Sequence, residues 1–324
     1  MRSNNLTGHL LALFTSAVWG VTFVSTKVLL ASFSPIGILL SRYVLACIAL
    51  LVVCPRMLRG TTLREELIMA AAGLSGVCLY QLIENIALGY TSASNVGVIV
   101  TTAPFFTAVQ SVLFLKDGER LHKSFFIGFA IAMAGIALIG FNGQELHLDP
   151  RGDLLSLLAA VIWGTYSVLS KMVGEFGHPT VLTTRRIIAY GTLFMLPIFL
   201  ASGADLDLGA FAQPANLLNM LFLGILASAL CLYTWNHAVK LIGAVRTCVY
   251  IYLSPVITVL TAILVLGEVI TLQSGTGIVL TLAGLILSEW PSWGRVRKLD
   301  RNDGNAPSVA VKDMPPQGQP TRYT

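Results

Sequence analysis

The sequence predicts an all-α integral membrane protein whose ten transmembrane helices form two inverted five-helix repeats. Composition, an internal duplication and the placement of basic residues carry that expectation. Of 324 residues, 55% are hydrophobic and 11% charged, and the mean hydropathy is +0.76. So much apolar surface cannot be hidden inside soluble domains, and a bilayer is the solvent that accepts it. The duplication is direct: Trp19, Gly20, Lys27, Pro35 and Arg42 return 144 positions later as Trp163, Gly164, Lys171, Pro179 and Arg186. Asn85, Ala87, Ala93 and Pro104 return after 151 as Asn236, Ala238, Ala244 and Pro255. Gly118, Glu119, Gly128 and Gly135 return after 149 as Gly267, Glu268, Gly277 and Gly284.

Taken in order, charged or Pro/Gly-rich breaks leave apolar runs near residues 9–31, 36–54, 67–89, 95–115 and 124–141 in the first half. The second half repeats them near 153–173, 180–201, 215–239, 246–266 and 273–290. Most are about 20 residues, the length a helix needs to cross ~30 Å of hydrocarbon. Strands of a membrane barrel would be half as long and would alternate. The first run contains Lys27 and lacks a small-residue cleavage site, so it reads as a retained helix and not a signal peptide. The two repeats are expected over 9–141 and 153–290. Beyond Trp290 the chain turns to Pro, Gly, Asn, Asp and Arg, and 291–324 is expected to be a disordered cytoplasmic tail. Cys47, Cys54, Cys78, Cys231 and Cys248 are odd in number and lack ligand spacing, so neither disulfides nor a metal is expected, and no cofactor motif is present.

Basic residues in short connections set orientation. With the N-terminus in the cytoplasm, inside connections carry Arg56, Arg59, Arg64, Lys116, Arg120, Lys123, Lys240, Arg246, Arg295, Arg297 and Lys298, and outside ones only Arg151. Both termini are therefore expected inside, and the net charge of +5 reads as a topology signal. The basic residues are scattered among loops without stacking aromatics, which argues against nucleic acid as a partner. Five spans per copy is an odd number, so the second copy enters from the opposite face. Such inverted repeats characterise secondary transporters, whose substrate site lies near the midplane between the halves.

These residues resemble the drug/metabolite transporter superfamily, in its ten-helix EamA-like branch. The resemblance rests on Trp19-Gly20 and Lys27 with their copies, Pro35 and Arg42 with theirs, and the Gly118-Glu119 and Gly267-Glu268 pairs, and it covers nearly all of 9–290. It implies an inner-membrane exporter of small metabolites, such as amino acids or amphipathic toxic compounds. It also implies coupling to protons, and it does not fix the cargo or the oligomeric state.

Trp19, Phe23 and Lys27 share one helical stripe, as do Trp163, Ser167 and Lys171. A lysine there faces a partner or a wet cavity, or else snorkels to the helix end. Arg42 and Arg186 lie roughly 10 Å inside their spans, deeper than easy snorkelling. Two readings stand for them. With Lys27, Lys171 and Arg185 they line a basic vestibule on each side, or they bond carbonyls at helix ends. Glu84 sits well inside span three, and its repeat mate is Trp235. It is either a coupling carboxylate or the static partner of Arg42.

Pro104 and Pro255 occupy equivalent mid-span positions, each freeing the carbonyl four residues earlier, and paired helix interruptions point to a transporter's binding site. Thr101, Thr102, Tyr250, Tyr252 and Ser254 flank them, and Tyr80, Asn85, Trp163 and Asn236 complete the expected lining. The bland alternative is that the prolines only shape packing. The Gly-Glu pairs read as helix caps, and Gly128, Gly135, Gly277 and Gly284 as close-packing devices.

One rival enzyme reading exists. Gly73-Leu74-Ser75-Gly76 matches the GxSG pattern of rhomboid-type intramembrane serine proteases, with Ser75 as nucleophile and His237 as its base. Inverted repeats argue against it. A channel would need a ring of like groups, which the sequence lacks, and no phosphate-binding loop is present to use ATP.

Overall fold

The computed structural model describes residues 2–90, 93–115, 122–140, 149–204, 209–266 and 271–303. Among them every regular element is helical and none is a strand. Among the described residues six stretches are long and apolar enough to cross a membrane: Pro35–Val53, Leu63–Ala87, Val96–Phe114, Pro150–Glu175, Thr180–Ala201 and Pro214–Ile242. Shorter apolar helices cover Lys123–Ile139, Ala244–Ile257 and Gly275–Ser288. Large apolar side chains such as Val52, Leu113, Leu200 and Leu218 stand two-thirds or more exposed on the outside. Such a surface suits lipid and would be an aggregation liability in water.

Local chemistry sets most helix starts and stops. Helix α1 spans Arg2–Leu29. Helix α2 (Pro35–Val53) begins with Pro35 in the first turn behind Ser34, whose Oγ accepts the Gly37 N–H. That satisfies one orphan donor and pre-sets φ. Helix α3 (Leu63–Ala72) opens on a full capping box between Thr62 and Glu65. It runs through a π-helical segment, Gly73–Leu79, into α4 (Tyr80–Leu88). Helices α5 (Ala93–Val100) and α6 (Ala103–Phe114) are separated by a break at Thr101-Thr102, next to Pro104. α7 covers Lys123–Gly140.

The same plan recurs. α8 (Pro150–Glu175) starts at the Asp149 cap, and α9 (Thr180–Ala201) starts after Pro179. α10 (Pro214–Leu221) passes through a second π-helical segment, Phe222–Leu230, into α11 (Cys231–Ile242). Gly243, at φ 96°, supplies the left-handed residue that ends α11. α12 (Ala244–Val249) and α13 (Leu253–Leu266) are separated by a 3-10 turn, Tyr250–Tyr252, just before Pro255. α14 is the helix Leu272–Asp303, which continues past Trp290. The Gly118-Glu119 and Gly267-Glu268 pairs lie outside the described residues.

Glycines place the helices. A Cβ on Gly128 would strike Gly284 O and the Ser288 side chain, and one on Gly135 would strike Thr281 N and Gly277 O. The early residue of α7 thus meets the late residue of α14, so the two run antiparallel with backbones in contact. Gly20 brings α1 against Ser254 and Ile257 of α13, and Gly164 brings α8 against Phe106 and Thr107 of α6. The largest buried cluster joins α2, α3, α8, α9 and α11 and includes Trp163, Tyr166 and Trp235.

Candidate functional site

Three tryptophans meet at the centre. Trp19 on α1 approaches Trp163 on α8 edge-on, with centroids 5.4 Å apart, and Trp235 on α11 lies 5.1 Å from Trp19 and 5.6 Å from Trp163. Tyr80 on α4 and Tyr166 on α8 close the cage at 4.8 Å and 5.1 Å from Trp163. These separations fall in the favourable range for aromatic pairs. Trp19 Nε1 donates to Ala227 O at 3.0 Å. The Nε1 groups of Trp163 and Trp235 are buried and have no hydrogen-bond acceptor among the described residues. Unpaired buried donors are rare, because each forfeits its hydration without return.

Polar groups ring the cage. Arg42 is buried, donates through Nε to Ser228 Oγ at 2.8 Å and holds its guanidinium 5.3 Å from the Tyr43 ring centroid. Because Ser228 follows Ala227, the Trp19 and Arg42 side chains dock on neighbouring residues of one π-helical segment. Glu84 is half-buried and accepts from the Tyr80 hydroxyl at 3.2 Å. Among the described residues it makes no ion pair with Arg42. Asn236 accepts from Tyr166 at 2.8 Å and donates to Thr184 at 3.0 Å, tying α8, α9 and α11 together.

The other expected lining residues spread out from this centre. Asn85 is half-buried on α4, and Pro104 is buried on α6. Thr101 and Thr102 donate to the carbonyls of Val98 and Ile99 at 2.7 Å and 2.6 Å, which occupies their hydrogens locally. Tyr250 bonds His9 at 2.9 Å, and Ser254 donates to Ser16 O at 3.3 Å, so both face α1. Pro255 is half-buried beside them. Tyr252 turns the other way and packs, fully buried, with Ala108, Phe125 and Ala132. Residues two apart on a helix point to opposite sides, which separates it from Tyr250.

The charged residues of the second copy lie toward the end of the bundle formed by loop 54–62. Arg185 donates to Cys54 O and Arg56 O, each at 2.6 Å, and Arg186 donates to Leu58 O at 3.2 Å and pairs with Glu66 at 3.6 Å. Tyr190 and Thr61 also hydrogen-bond to Glu66. Lys171 makes a partly exposed pair with Glu175 at 3.8 Å, an arrangement worth little. The side chain of Lys27 lies outside the described residues.

Sequence reasoning left Trp235, Tyr166 and Ser228 out of the expected lining. Tyr166 carried a readable signal, three residues from Trp163 and so on the same face. The protease alternative finds no support. Ser75 Oγ donates back to Ala71 O and Ala72 O on its own helix, while His237 bonds Thr180 and stacks on Tyr233.

Comparison with known proteins agrees with a transporter. The EamA-like transporter family matches residues 6–141 and again 150–290. An uncharacterized transporter of Archaeoglobus fulgidus is 29% identical over 291 residues, covering 86% of this chain and 96% of that protein. A probable terminal-alkyne amino-acid exporter of Streptantibioticus cattleyicolor is 27% identical, covering 88% and 94%. A solved crystal structure superposes with a TM-score of 0.73 at 18% identity, over 88% of this chain and 97% of that one, and so shares the fold. The chain is a membrane transporter, not an enzyme, and belongs to the EamA-like transporter family.

Proposed function

We propose that this transporter exports small amino acids with apolar, unsaturated side chains, binding them in the tryptophan cage and exchanging them for protons by alternating access. The observation that carries this reading is the pair of unpaired indole N–H groups, on Trp163 and Trp235, inside an aromatic cage flanked by Arg42 and Glu84. A zwitterion answers each part. Its carboxylate accepts from the free indoles and faces the Arg42 cation, its ammonium pairs with Glu84 over ring faces, and its side chain packs among the rings. Glu84 then couples transport, since one carboxylate holds either a proton or the substrate's ammonium. The Streptantibioticus relative, a probable exporter of terminal-alkyne amino acids, supports this substrate class.

The proposed frame is ten membrane spans in two inverted five-helix repeats, with both termini in the cytoplasm of a cell whose inner membrane holds the protein. Support comes from contacts between repeat mates. Trp19 meets its own copy Trp163, and Gly128 and Gly135 meet the copies of each other, Gly284 and Gly277. Reciprocal pairing of antiparallel helices is the signature of a two-fold axis perpendicular to them, and such an axis lies in the membrane plane. Both copies also carry a π-helical segment and a proline-adjacent helix break at matching positions. Two equivalent halves that exchange conformations exchange the open side.

Efflux from proteoliposomes loaded with radiolabelled amino acids tests the reading. Alkynyl and other small unsaturated amino acids should leave faster when a proton gradient is directed inward, and should compete with one another. Export of cationic drugs with no amino acid competing would sink it.

A further inference from the structure

We infer that an anionic phospholipid docks between α2 and α9, with an acyl chain along Ile48, Leu51 and Ala189 and its phosphate on Arg185 and Arg186. A cavity of about 250 Å³ opens there, with Leu58 and Leu182 as its floor. It falls just below the ~300–1,000 Å³ of pockets that enclose soluble ligands. Its mouth faces outward: Ile48 is 52% exposed and Leu51 45%. Arg185 near the start of α9 reaches Cys54 just past the end of α2, so the two helices run antiparallel away from loop 54–62. Exposed Val44 on α2, and Leu193 and Leu196 on α9, continue the apolar walls away from that loop. From Ala189 to Leu196 the walls extend roughly 10 Å, enough for a stretch of one acyl chain.

The polar end is matched to an anion. The carbonyls of Cys54, Arg56 and Leu58 hold both guanidiniums in place without cancelling their charge. Among the described residues Arg185 has no ion-pair partner, and Arg186 has Glu66. Arg56, Arg59 and Arg64 flank the site against Glu65 and Glu66, leaving an excess of cations. Basic pockets between membrane helices at the interface favour anionic headgroups. Duplication does not account for the site. The repeat mate of Arg185 is Ser41, and that of Arg186 is Arg42, which is buried on Ser228. The groove therefore recognises one leaflet.

Native mass spectrometry of the purified full chain tests this, titrating phosphatidylglycerol and phosphatidylcholine with identical acyl chains. Phosphatidylglycerol adducts should form preferentially. Arg185→Gln should weaken them about fivefold, the equivalent of ~1 kcal/mol per basic residue at an anionic surface, and Arg185→Lys should restore most of the preference. Ala189→Trp fills the groove and leaves the arginines untouched, so it should remove the adduct even if Arg185→Gln fails to fold. Equal binding of the two lipids by the wild type, or an unchanged adduct in Ala189→Trp, overturns the assignment.

Discussion

Trp163→Phe separates a binding role for the indole from a packing role. The ring sits within 4.8–5.6 Å of four aromatic neighbours, and phenylalanine keeps a ring in that cage. What disappears is a buried N–H with no acceptor. An unsatisfied buried donor costs about 1–3 kcal/mol, and its removal returns that. The smaller ring leaves a partial cavity whose cost, scaled from large-to-small core changes, is about 1–2 kcal/mol. The two nearly cancel, so the thermal midpoint in detergent should move by no more than about 4 °C. Binding has no such cancellation. A hydrogen bond from a neutral donor to a carboxylate is worth about 1.5–3 kcal/mol, so calorimetric titration with the preferred amino acid should show affinity falling about 10- to 150-fold. Unchanged affinity, or a large loss of stability with intact affinity, would mean that the indole only fills space.

Four further substitutions probe other parts of the molecule. Glu84→Gln, which mimics the protonated carboxyl, should weaken substrate binding and abolish accumulation driven by a proton gradient, measured in proteoliposomes; retained dependence on that gradient would remove Glu84 from coupling. Gly135→Val puts side-chain atoms into Thr281 N and Gly277 O, so thermal melting should show a loss of about 1–3 kcal/mol or more. Gly97→Ala is its control: nothing lies within 4 Å of the added carbon, and the change should be neutral or stabilise by up to ~1 kcal/mol. Ser75→Ala removes only a hydrogen bond within its own helix and should leave transport unchanged.

The helical segments and the likeness of the two halves were legible in the chain because both are written as local patterns, hydropathy and repeated residues. Pro104 and Pro255 announced the breaks before α6 and α13, since a missing N–H interrupts a helix wherever it stands. The cage was half legible. Trp19 and Trp163 were visible as mates on interior stripes, but Trp235 stood where the first copy has Glu84, so the duplication concealed it. Thr101, Thr102 and Tyr252 were grouped with the site by closeness in sequence. Their hydroxyls or rings are turned by helix geometry onto backbone or toward α6 and α7. Arg185 and Arg186 could be recognised as costly inside a span, whereas their carbonyl partners, some 130 residues away, are a tertiary fact.

The differences between the copies deserve more weight than their likeness. Like mates in like surroundings, such as Trp19 with Trp163 and Gly128 with Gly277, make contacts that a two-fold exchange would leave unaltered. Two identical halves would give inward- and outward-open states equal free energy, and a ligand that bound both equally would shift nothing. A bias between the two states must therefore come from positions whose mates differ in type or in partner. Two positions carry unlike mates, Glu84 against Trp235 and Arg185 against Ser41, and a third carries like mates on different partners, Arg42 on Ser228 against Arg186 on Leu58 O. The first lies in the cage and the third reaches from its rim to loop 54–62, where the second also sits. On the proposed coupling, the Glu84 carboxylate sets what is exchanged, and Arg185 and Arg186 tie one end of the bundle to its loop.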